Sequence, residues 1–68
     1  MRSNLTKAAK DALYTAAIGL EMKAGREADG RPLDRAELAG FNADQAAARA
    51  LGFTDADIRA YQRALPAS

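Results

Sequence analysis

Asp44–Arg63 reads DQAAARALGFTDADIRAYQR, and its punctuation decides the fold. Apolar residues recur at helical spacing on both sides of Leu51-Gly52-Phe53, so the stretch predicts two short helices joined at that glycine. Thr54 can cap the second helix and Phe53 can staple to Ile58 across the cap.

The same rule marks two earlier helix starts. Leu33-Asp34-Arg35-Ala36-Glu37-Leu38 offers Asp34 as cap, Glu37 in the box position and a Leu33–Leu38 staple, while Phe41-Asn42-Ala43-Asp44-Gln45-Ala46 offers Asn42 with Gln45. Helices are therefore expected to begin near residues 35, 43 and 55. Gly40 and Gly52 are expected to end the preceding helices, and Pro66 to stop the last. Gly40-Phe41-Asn42 and Gly52-Phe53-Thr54 echo one another, which reads as one capping grammar used twice rather than as a repeat architecture.

Toward the N-terminus, Ser3 or Asn4 can cap a long helix running to about Ala24, with Gly25 placed to end it. Its apolar face runs through Leu5, Ala8, Ala9, Ala12, Leu13, Ala16, Ala17, Leu20 and Ala24, and Gly19 is placed for a close helix crossing. Beside that face lies a row spaced by fours, Tyr14, Ile18 and Met22. This row either completes the core or forms a homodimer surface. GREADGRP, residues 25–32, is polar and carries an Asp29-Gly30 turn signal, so it reads as a loop.

The expected fold is all-α, one small four-helix domain over residues 1–68. Leu5, Leu13, Ile18, Leu20, Leu33, Leu38, Phe41, Leu51, Phe53, Ile58, Tyr61 and Leu65 are the expected core. Composition agrees: 49% of the chain is hydrophobic, but alanine supplies 18 of those residues and valine none, so helices are favoured over a thin core. Such a core gains from a partner chain.

Cysteine and histidine are absent, which excludes disulfides, thiolate or imidazole metal sites and His- or Cys-based triads. No phosphate loop or serine beside a base is present either, and neither catalysis, nor a cofactor, nor a small-molecule substrate is expected. No membrane span is legible, and the N-terminus lacks a secretory apolar segment, so a cytoplasmic location is expected. Ten basic and nine acidic residues leave a net charge of +1 without a basic block. The Ala- and Arg-rich usage suits a GC-rich bacterium or its phage.

The stretch from Asp44 to Arg63 resembles the helix-turn-helix of DNA-binding proteins. Ala48 takes the small crossing position, Gly52 the turn, and Ala47, Leu51, Phe53, Ile58 and Tyr61 the apolar offsets. The resemblance implies a C-terminal helix-turn-helix-like corner whose second helix enters the major groove of double-stranded DNA. It implies nucleic-acid contacts from Thr54, Arg59 and Arg63, with Gln45 and Arg49 on the preceding helix. Such a protein would be a transcription regulator and a dimer.

Asp55 and Asp57 depart from that pattern, because carboxylates in the first turn of the reading helix would face a polyanion. As helix-start residues they satisfy free N–H groups and the dipole. They also fit a second expectation: a small inhibitor or adaptor, antitoxin-like or an anti-CRISPR-like phage anti-defence protein. That protein would meet a basic surface on a larger protein through Glu37, Asp44, Asp55 and Asp57.

Overall fold

The computed structural model describes residues 6–65, which form three α-helices: α1 (Lys7–Ala28), α2 (Arg35–Ala50) and α3 (Asp55–Ala64). The all-α class holds, and the count of four helices does not. The two helices expected on either side of Gly40 are one.

α1 starts at Thr6, whose hydroxyl accepts the Ala9 N–H at 3.0 Å. The cap is thus Thr6 rather than Ser3 or Asn4, which lie with Leu5 outside the described residues. At its other end α1 passes through Gly25 and stops three residues later. A residue at position 25 could carry a Cβ without meeting anything, so this glycine answers no geometric need. The stop is made at Gly30, which takes φ +73° while Arg31 N–H donates to the Arg26 carbonyl at 2.9 Å and Gly30 N–H to Glu27 at 3.1 Å. That double bond pattern closes the orphan carbonyls of the last turn.

α2 opens on the expected box: Asp34 accepts from Glu37 N–H at 2.8 Å and Glu37 accepts from Asp34 N–H at 3.1 Å. It then runs unbroken through Gly40 and Asn42. The reason lies across the interface, on α1. Phe41, Gln45 and Ala48 follow at the spacing of one helical face. A methyl group at Gly19 would come within 3.4 Å of Phe41 Cδ1 and 3.5 Å of Gln45 Nε2, so α2 crosses α1 at that glycine, as expected. A break at residue 40 would detach Phe41 from Gln45 and leave a first piece of barely more than one turn, too short to nucleate cheaply.

α2 ends at Gly52, φ +98°, where Phe53 N–H donates to Ala48 at 3.2 Å and Gly52 N–H to Arg49 at 2.9 Å. Thr54 and Asp57 then form a second capping box and start α3, as the sequence predicts. Leu65 closes α3 in an extended conformation, φ −64° and ψ 140°, as a residue preceding proline prefers. Pro66 itself lies outside the described residues.

α1 is the hub. It packs on both other helices, while α2 and α3 touch each other little beyond their turn. The core is Leu13, Ala16 and Ala17 of α1, Ala48 of α2, Phe53 of the turn and Ile58 of α3, which among the described residues is the one large side chain that is fully buried. Ala9, Leu20, Tyr61 and Leu65 pack around it. Leu38 and Leu51, expected in the core, are exposed, Leu51 by half. Ile18, Leu33 and Phe41 are half-buried. Alanine at 16, 17 and 48 brings the helix backbones close, so fewer large side chains are needed between them.

Candidate functional site: a polar groove beside α3

The corner at Gly52 fixes how α3 is presented. Phe53 and Ile58 point inward, so Thr54, Asp55, Ala56, Arg59, Ala60 and Arg63 are left exposed. Arg59 and Arg63, one turn apart, make no ion pair among the described residues.

The two first-turn acids are engaged within the chain. Asp57 Oδ2 accepts the Thr54 N–H at 2.9 Å, and Asp55 Oδ1 lies 3.2 Å from Arg49 Nε. Their charge is therefore partly answered before any ligand arrives. The cost to the expected DNA-binding set is that Arg49 is answered too. Thr54 accepts the Asp57 N–H at 3.1 Å, but its own hydroxyl proton remains free to donate.

Gln45 differs from its expected place. With α2 continuous, it falls mid-helix on the face toward α1 rather than in an exposed first turn. It is 5% exposed, and its Nε2 donates to the Ala16 carbonyl at 2.9 Å.

Between the three helices lies a polar groove of about 290 Å³, with Lys23 from α1, Asn42, Gln45 and Arg49 from α2, and Asp55 and Arg59 from α3 on its walls. Of its three cations, Arg49 pairs with Asp55, Lys23 pairs with Glu27, and Arg59 has no ion pair among the described residues. Lys23 Nζ lies 5.8 Å from the Phe41 ring centroid and 2.7 Å from Glu27 Oε2. Sequence reasoning missed Lys23. It lies four residues after Gly19, and the crossing at that glycine puts both on the face toward α2.

The other two acids expected to meet a partner, Glu37 and Asp44, line a different groove. Glu37 makes a two-point pair with Arg26, at 2.7 and 3.0 Å, and Arg26 also donates to the Arg31 carbonyl at 2.9 Å. The mutual hydrogen bond holds the Glu37 carboxyl below the usual glutamate range and raises the Arg26 guanidinium further. Asp44 is half-buried and has no ion pair among the described residues. With Glu37 it borders a second, apolar groove of about 210 Å³ floored by Met22, Leu33 and Phe41.

The Tyr14, Ile18 and Met22 row follows one side of α1, exposed at both ends and half-buried in the middle. At 3.6 residues per turn, a row spaced by fours winds about 40° per step. Tyr14, 50% exposed, sets its ring edge-on to Tyr61 of α3 at 6.5 Å, whereas Met22, 57% exposed, leans to the α2 side. Ile18 is half-buried between them.

Among the described residues no helix is long and apolar enough to cross a membrane, and no cluster of His, Cys, Asp or Glu could hold a metal ion. The chain matches no protein-family model, no curated protein and no solved structure.

Proposed function

We propose that this chain is a small regulatory protein, without catalytic activity, that binds double-stranded DNA through the outward face of α3. The observation that carries the reading is the state of that face: Arg59 and Arg63 are exposed and without an ion pair among the described residues, while Asp55 and Asp57 are tied to Arg49 and to the Thr54 cap. Thr54, Arg59 and Arg63 are the proposed contacts, with Arg49 at the edge. Gln45 leaves the set because its amide is committed to the Ala16 carbonyl. Arg59 would meet a guanine edge or a phosphate, and Arg63 a phosphate one turn on.

Titrating the purified chain against a pool of random duplexes at about 50 and 200 mM salt tests this reading. Binding that weakens steeply with salt is expected. Absence of binding at the lower salt would sink it.

A second reading, a small inhibitor or adaptor on a larger protein with a basic surface, is favoured by one observation. Asp44 is half-buried, without an ion pair among the described residues, beside the apolar groove of Met22, Leu33 and Phe41. The other acids proposed for it, Glu37, Asp55 and Asp57, are held by Arg26, Arg49 and the Thr54 cap, so less of the acidic surface is free. Capture of a partner by the wild type but not by Asp44→Lys would support it, and equal capture would remove Asp44 from it.

A further inference from the structure

We propose that the groove between the three helices is a binding site for one phosphate group, gated by the Arg49–Asp55 ion pair. This deepens the DNA-binding reading by assigning where a backbone phosphate would sit, yet its chemistry applies equally to free phosphate.

Three observations carry it. Cations arrive from all three helices, Lys23, Arg49 and Arg59, and meet on one groove of about 290 Å³ in which Asp55 is the acid among the described lining residues. Lys23 is paired with Glu27 and Arg49 with Asp55, so the charge left unanswered among the described residues is that of Arg59, with two displaceable pairs beside it. Second, the walls are held in place. Lys23 is steered by the Phe41 ring and by Glu27, Phe41 seats on Gly19, and the floor residue Gln45 is anchored to Ala16. A site on such supports loses little entropy when an anion arrives. Third, Arg59 brings an unpaired guanidinium, and the Arg49–Asp55 contact is exposed and long at 3.2 Å. A backbone phosphodiester carries one charge on two free oxygens and gains from its neighbours along the duplex, while free phosphate carries more charge than a carboxylate on more acceptor oxygens. Either can therefore take the Arg49 guanidinium and displace Asp55 toward solvent.

The gate gives predictions of opposite sign. Removing a cation should weaken phosphate binding, whereas removing the Asp55 charge should strengthen it. Asp57 does the capping through its own carboxylate, so Asp55→Asn leaves the α3 start in place. Lys23 and Arg59 contribute nothing to the buried core, so Lys23→Ala and Arg59→Ala should keep the fold, which circular dichroism checks.

The experiment is an amide NMR titration of the full chain with inorganic phosphate at constant ionic strength, chloride being the replaced anion, followed by a short random duplex. Saturable shifts at Lys23, Asn42, Arg49 and Arg59 are expected. Affinity should fall about fivefold in Lys23→Ala and Arg59→Ala and rise by a similar factor in Asp55→Asn. Shifts that never saturate, or that spread equally to Arg31 and Arg35, would overturn the site. So would a phosphate affinity unchanged in Asp55→Asn. If phosphate binds as expected and duplex does not, the groove stands as a free-phosphate site and the DNA reading falls. If duplex binds with full strength to Lys23→Ala and phosphate leaves the groove unshifted, the groove falls and the DNA reading stands.

Discussion

Gly40-Phe41-Asn42 and Gly52-Phe53-Thr54 are nearly the same tripeptide, and the chain treats them in opposite ways. At Gly52 the backbone turns left-handed, φ +98°, and the helix ends. At Gly40 the helix continues as if alanine stood there. What separates them is the work given to the following side chains. Thr54 and Asp57 are free to close a capping box, which lets α3 begin. Gln45, which holds the equivalent box position after Asn42, is already bound to the Ala16 carbonyl on α1. The two phenylalanines differ likewise: Phe53 plugs the core at 6% exposure, while Phe41 lies half-buried on Gly19 and needs α2 straight beneath it. A glycine permits a turn; its neighbours' tertiary contacts decide whether one forms.

The largest expected effect is on the phenylalanines. Phe53→Ala should cost about 3–5 kcal/mol, most of the stability of so small a domain. Phe41→Ala, losing a half-buried ring, should cost no more than about half of that. Urea denaturation measures both, and equal costs would break the distinction between plug and lid.

The glycines come next, and they should differ in sign. Gly52→Ala forces a Cβ into the left-handed region and should destabilise by about 1–2 kcal/mol. Gly40→Ala meets nothing within 4 Å in a helix interior, so it should stabilise by up to about 1 kcal/mol. A destabilised Gly40→Ala would restore the fourth helix.

The smallest effect concerns the α1–α2 turn, where Glu37 serves both the Asp34 cap and Arg26. Because folding lowers its pKa, the ion pair's contribution is complete above the ordinary glutamate range. It is lost as pH falls through the lowered folded value. Glu37→Gln keeps an acceptor for the cap and removes the charge. Its melting temperature should lie slightly below wild type at neutral pH, with the gap closing in acid. A gap that persists in acid would mean that the pair is not its cause.

How far this was legible from the sequence follows the same division. Local signals were readable: the caps at Asp34 and Thr54, the turn at Gly52, the crossing at Gly19 and the all-α class. Features set by another helix were not. Gly25 and Gly40 look like helix ends, yet α1 and α2 run through them. The extra turn of α1 past Gly25 brings Arg26 to Glu37, eleven residues away in sequence. Gln45 was expected outside because a helix start at residue 43 would expose it, and continuity of α2 turned it inward. Leu38 and Leu51 were expected inside on identity alone, but alanines at 16, 17 and 48 close the core without them. For the site, Arg59 and Arg63 were legible as exposed positions of α3. Lys23 was not, since its place in the groove depends on the crossing angle of α1 and α2.

The most direct test of the central claim is the salt dependence of duplex DNA binding, measured by fluorescence anisotropy for wild type, Arg59→Ala and Arg31→Ala. Arg31, in the α1–α2 turn, is the control for net charge. The account predicts that Arg59→Ala weakens binding and lowers the logarithmic salt slope by about 1, while Arg31→Ala leaves both near wild type. Equal losses in the two variants would show that charge alone is read, and would contradict a DNA-binding role for the face of α3.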